Sequence, residues 1–165
     1  MADKTIAERL QPSLLDRLTD EHTDLSSENR ENRVLNLSDL RQIVKRDLSW
    51  LLNTTNQDAV IDDEIYPHVA RSVLNYGVRE SSGSFSTSER AKEIRKTVQV
   101  AIENFEPRIM EGTLNVELNT KDTENGSVVT FDIVADMWAQ PLPIELYLRS
   151  QVNLISGELT LERKN

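Results

Sequence analysis

The sequence predicts an α+β domain, three helices followed by an antiparallel meander of about four strands, preceded by an N-terminal arm. Three observations carry this. Apolar residues recur at helical spacing up to Phe105, they alternate with a period of two after Gly112, and the five glycines (Gly77, Gly83, Gly112, Gly126, Gly157) fall at element boundaries or in loops. Runs of helices followed by runs of strands make an α+β domain rather than a parallel α/β one.

Residues 1–35 form the arm and 36–165 the domain. The arm is polar except for Leu10, Leu14, Leu15 and Leu18, with Pro12 near the start of that island. An amphipathic island on a polar tether (Asp20 to Arg33) suits docking to a partner, with Leu14, Leu15 and Leu18 as contacts. Packing back onto its own domain is the other reading.

Ser38 reads as the cap of the first domain helix. After it Leu40, Ile43, Val44, Leu48 and Leu51 share one face, Trp50 lies near its edge, and the helix is expected to end near Asn53. A second helix is expected from Pro67, where the missing N–H costs little, through Val69, Val73 and Tyr76 to Gly77. Ser86 and Glu89 have capping-box spacing for a third. Its stripe is Ala91, Ile94, Val98, Ala101, Ile102 and Phe105, ended by Pro107.

From Gly112 onward Leu114, Val116 and Leu118 alternate with polar residues, and Asn125-Gly126 marks a turn. Val129, Phe131, Ile133, Ala135 and Met137 make the next strand. Pro141 and Pro143 interrupt the pattern. Ile144, Leu146 and Leu148 resume it, Val152 and Leu154 lie further on, and Gly157 turns the chain into Leu159 and Leu161.

Composition narrows the function. The chain has 165 residues, enough for one core, with no cysteine and a net charge of −9. A disulfide framework is therefore excluded, and non-specific nucleic-acid binding, which needs a basic footprint, is disfavoured. No apolar run reaches the ~20 residues of a membrane helix, so a soluble, cytoplasmic protein is expected. Charge is uneven: Glu111 to Glu145 holds seven acids and one lysine, a net −6, while Glu89 to Lys96 nets +2. Solvated faces are the plain explanation. Alternatively Glu117, Asp132 and Asp136 face a basic partner.

Chemistry finds little purchase. The two histidines, His22 and His68, lack metal-ligand spacing, so neither a metal nor a cofactor is expected. There is no GxSxG elbow, P-loop or GxGxxG fingerprint. A glycoside hydrolase needs only two carboxylates, and Glu106 and Glu111 have apolar neighbours. That makes a muramidase-like hydrolase the alternative to a non-enzymatic role. The segment that stands out is Phe105-Glu106-Pro107-Arg108-Ile109, between the clearest helix and the first strand. Pro107 restricts the geometry of the flanking charges, and an Arg can fork onto a carboxylate in a partner or in its own chain.

That segment resembles the Glu-Pro-Arg signature of the baseplate wedge proteins of contractile phage tails and type VI secretion systems. Three further segments resemble the TssE branch: Pro12 to Leu18 (PSLLDRL), Asp47 to Thr54 (DLSWLLNT) and Ser72 to Gly77 (SVLNYG). The likeness extends over nearly the whole chain, although the loop Glu80 to Ser84 lacks the prolines found in that branch. The resemblance implies a structural subunit of a six-fold baseplate at the inner membrane. It implies a wedge with TssF and TssG, TssK attached below, and a TssB/TssC sheath started by strand addition. It also implies that Glu106, Pro107 and Arg108 hold the subunit to the wedge. Some related phage proteins are called lysozyme-like.

Overall fold

The computed structural model describes residues 13–19, 37–80, 87–119, 128–138, 143–154 and 157–163. In chain order they form α1 (Leu14–Leu18), α2 (Leu37–Leu52), α3 (Pro67–Ala70), a 3-10 turn (Val73–Asn75) and α4 (Thr87–Phe105). The strands are β1 (Asn115–Asn119), β2 (Val128–Met137), β3 (Ile144–Asn153) and β4 (Leu159–Arg163). The strands form one antiparallel sheet in the order β1-β2-β3-β4, so the α+β meander stands as read.

The alternation places one set of side chains against the helices. Val129, Phe131, Ile133, Ala135 and Met137 of β2 are all buried, as are Ile144, Leu146, Leu148 and Val152 of β3. Both helices lie on this face, α4 over β1 and α2 over β4. They contribute Leu40, Val44 and Leu48 from α2 and Ala91, Val98, Ala101 and Ile102 from α4. At roughly 1.5–3 kcal/mol per fully buried aliphatic or aromatic side chain, this layer is the main source of stability. β3 is a single unbroken strand because Ser150 takes an inward position that the apolar pattern leaves blank.

Two expectations need correction. Ser38 lies inside the first turn of α2, not at its cap; Asp39, in the same turn, complements the helix dipole. The expected helix from Pro67 to Gly77 stops at Ala70. Ser72 is extended and its hydroxyl takes the N–H of Leu74, which restarts the chain as a 3-10 turn and leaves Val73 exposed. Asn75 then competes with any helical continuation. It is buried, donating from Nδ2 to Asp58 Oδ1 (2.7 Å) and the Ala70 carbonyl (2.8 Å) and accepting from the Gln57 N–H (2.9 Å).

Gly77 follows at φ +125°, where a Cβ would lie 2.2 Å from the Thr54 carbonyl oxygen. This approach lets Val78 N–H donate to Thr54 and Asn56 N–H donate to Val78, tying the loop to the end of α2. Ser86, the Asn125-Gly126 turn and Pro141 lie outside the described residues.

Candidate functional site

At the end of α4 the Glu106 N–H still donates to Ile102, after which Pro107 ends the helix. Pro107 occupies the second position of a turn closed by Ile109 N–H donating to the Glu106 carbonyl at 3.2 Å. The chain then pairs with the end of β2, just ahead of β1. Met110 N–H donates to Asp136 and Trp138 N–H to Arg108, bridging Ile109 to Met137. The Glu-Pro-Arg segment therefore joins the core helix to the sheet.

Within it the two charges meet each other. Glu106 is only 5% exposed. Arg108 forks onto it, Nε to Oε1 at 2.6 Å and Nη2 to Oε2 at 2.5 Å, and the Arg108 N–H donates to Oε1 at 3.1 Å. Such charge-assisted, bidentate bonds are the strong class. Arg108 Nη2 also reaches Asp47 Oδ2 on α2 at 2.8 Å. Asp47 in turn accepts Arg46 at 2.7 Å, and Arg46 Nη1 reaches Asp16 of α1 at 2.5 Å. Five charged groups thus form one chain of contacts from α1 through α2 to the Glu-Pro-Arg turn.

Burial works against the Arg108 charge, but Glu106 and then Asp47 outweigh it and hold its pKa above the ordinary value. Arg46 is raised chiefly by its bond to Asp16, against the cost of burial; the same bond keeps Asp16 low. Tyr76, whose ring meets Phe105 edge-on at 5.3 Å, is pushed up by burial and then by the carboxylates of Asp47 and Glu106. Arg108 keeps 28% of its side chain exposed, and no bond to its Nη1 is made among the described residues. The cluster joins three carboxylates to two guanidiniums, a net charge of −1, and leaves Arg108 partly exposed.

Asp47 is the member that sequence reading missed as a partner of Arg108, although it opens the DLSWLLNT segment. The available signal was a carboxylate beside Leu48 on the edge of an apolar stripe. Of the two carboxylates weighed for hydrolysis, Glu106 is engaged by Arg108, and Glu111 is exposed in the turn before β1. His68 is exposed on α3, and His22 lies outside the described residues. Among the described residues no three metal-ligating side chains cluster.

The acidic candidates lie on the sheet face away from the helices. Glu117 is opposite Asp132, which is opposite Arg149. Arg149 Nε binds Asp132 at 3.1 Å and the Tyr147 hydroxyl donates to it, so Asp132 is already answered within the chain. Asp136 instead faces Glu145 across β2 and β3, two like charges directly opposed.

At the N-terminus α1 is capped by Ser13 and held through Asp16 and Arg46, while Leu14 and Leu18 are 70% and 75% exposed and Leu15 is also exposed. The three leucines contribute nothing to the core. Leu10 and Pro12 lie outside the described residues.

The family of baseplate wedge protein gp25 matches residues 38–142, from the second residue of α2 to the threshold of β3. That span is well over half of the chain and contains the whole Glu-Pro-Arg turn. The chain belongs to the baseplate wedge protein gp25 family. This is a family of structural baseplate components of contractile tails, which agrees with the expected family and with a non-enzymatic role. No curated protein and no solved structure gives a significant match. Among the described residues no helix is long and apolar enough to cross a membrane.

Proposed function

We propose that this chain is a TssE-type wedge subunit of a type VI secretion baseplate, held to TssF and TssG through the Glu106-Pro107-Arg108 turn. TssK belongs to the same wedge, and the subunit starts the TssB/TssC sheath by accepting strands at its sheet edge. It acts in the cytoplasm, at a baseplate docked on the inner membrane, without cofactor or catalysis. The observation that carries this reading is the Arg108 guanidinium, fixed by Glu106 and Asp47 yet 28% exposed, with no bond to Nη1 among the described residues. A guanidinium held in place by its own chain loses little freedom when it meets a partner carboxylate or carbonyl.

Leu14, Leu15 and Leu18 supply a second contact, and Glu117 and Asp136 an acidic one. The test is co-purification with TssF and TssG, comparing Arg108→Lys with the parent. Lysine keeps the charge but not the fork. Loss of the wedge complex with the subunit still folded supports the proposal. A variant that assembles as the parent does refutes it.

A further inference from the structure

The register fixes which side chains share the sheet face turned away from the helices. Ala135 and Met137 are buried in the core, so Asp136, and Trp138 one residue past β2, face the other way. The bridge of Ile109 to Met137 and the bond from Trp138 N–H to the Arg108 carbonyl, 2.8 Å, keep the chain extended through this point. On β3 Ile144 is buried and Glu145 faces outward, directly opposite Asp136. Trp138 is 62% exposed, and half-buried Val134 lies on the other side of Asp136 along β2. An indole, an aliphatic side chain and two opposed carboxylates thus share one end of the outer face.

These two carboxylates are not answered within the chain. Neither Asp136 nor Glu145 makes a side-chain ion pair or hydrogen bond among the described residues. The cations nearby are committed elsewhere. Arg149 binds Asp132 further along the same face at 3.1 Å. Arg41 of α2 donates to the Glu145 main-chain carbonyl at 3.3 Å, not to its carboxylate. Arg108 forks onto Glu106 and reaches Asp47. Like charges directly opposite on neighbouring strands repel, and a cation set between them removes the repulsion. The stretch from Glu111 to Glu145 nets −6, so the field here favours a positive visitor.

Trp138 narrows the kind of cation. An indole face attracts a guanidinium or an ammonium, and a guanidinium also stacks flat on it. The planar fork of arginine can meet two carboxylates at once while its hydrocarbon stem covers the ring. Lysine offers a point charge without the fork.

We propose that this end of the outer sheet face receives an arginine side chain of a partner protein, its guanidinium between Asp136 and Glu145 and its stem against Trp138. The inference rests on the acidic contact put forward above and assigns its residues and its ligand.

The test is an NMR titration of the full chain with a short synthetic peptide, valine and threonine on either side of one central arginine. Saturable shifts of the Trp138 indole N–H and the Glu145 amide are expected. Binding should be about tenfold weaker when neutral citrulline, nearly the same shape, replaces the arginine. The Asp136→Asn, Glu145→Gln double variant should lose about tenfold and Trp138→Leu about fivefold, in proteins whose amide spectra otherwise match the parent's. Trp138→Leu also assigns the indole signal, since the other tryptophan is Trp50. Equal binding of the citrulline peptide, or unchanged affinity of the double variant, overturns the proposal. Shifts centred on Glu117 in place of Trp138 overturn this site while leaving an acidic contact standing. Absence of saturable shifts up to about 10 mM peptide overturns the site, whereas the wedge reading is decided separately by Arg108→Lys co-purification. Shifts without peptide that grow with protein concentration assign the face to a second copy and also overturn the proposal.

Discussion

Replacing Arg108 with alanine removes the one cation among the described residues that pairs with a carboxylate 5% exposed. Breaking a fully buried ion pair from one side costs about 3–5 kcal/mol, because the remaining charge is left without compensation. Two features lower that figure here. The Arg108 side chain is 28% exposed, so its removal opens a path for water to Glu106, and the main-chain N–H of residue 108 still donates to Oε1. We therefore expect a loss of about 2 kcal/mol, against about 0–1 kcal/mol for an exposed pair. For a chain of this length that corresponds to a melting point lower by roughly 4–8 °C, with the domain still folded at room temperature. Thermal and urea unfolding measure it. Glu106→Gln in the Arg108→Ala background should recover part of the loss, because a neutral amide no longer needs the guanidinium, giving a coupling of about 1 kcal/mol in the double-mutant cycle. A melting point unchanged within a degree or two, or strictly additive mutants, would refute the view that Arg108 stabilises a buried Glu106. The stability cost also means that any assembly defect of this variant must be compared with Arg108→Lys at matched folded fraction.

Asp136→Asn should stabilise the isolated domain by about 0.2–1 kcal/mol, since it relieves the opposition to Glu145, yet weaken association with wedge or sheath components at low salt. Association that stays flat from low to high ionic strength would exclude a role for the acidic face. Deleting residues 1–19 should leave a folded domain with a nearly unchanged urea midpoint, because the leucines of α1 are exposed, while assembly weakens; an unfolded product would return α1 to the core. Tyr76 is held above its ordinary pKa, so the folded state retains its proton longer than the unfolded chain does. Stability should therefore fall as pH rises past about 10, and Tyr76→Phe should flatten that slope in alkaline unfolding titrations. Gly77→Ala places a methyl group 2.2 Å from the Thr54 carbonyl oxygen at a φ of +125° and should cost about 3 kcal/mol or more by chemical denaturation.

The layers of this protein are legible in its periodicities. A period of 3.6 in α2 and α4 and a period of two in β2 and β3 report which side chains leave water, and removing apolar surface from water is what chiefly drives folding. The inward set of β2 was therefore legible residue by residue, as was the proline that ends α4. The sequence also singled out Glu106 and Arg108, because a charged pair around a proline at a helix–strand junction stands out against any periodicity. What it left open was where those charges point. Asp47 lies some sixty residues upstream of Arg108 in the chain, and only the packing of α2 beside the end of α4 brings the two within 2.8 Å.

The helix expected from Pro67 failed for a related reason. Propensity favoured continuation, but Asn75 gains three hydrogen bonds by leaving it, two of them to the distant Gln57 and Asp58, and a buried amide without partners is costly. The sheet edges belong to the same class. Alternation says which face of a strand is apolar and nothing about which neighbour its main chain finds. That Asn53 meets the Leu159 main chain, Arg95 the Val116 carbonyl and Arg41 the Glu145 carbonyl was settled by tertiary structure, because hydrogen bonds and ion pairs depend on distance in space and leave no period in the chain.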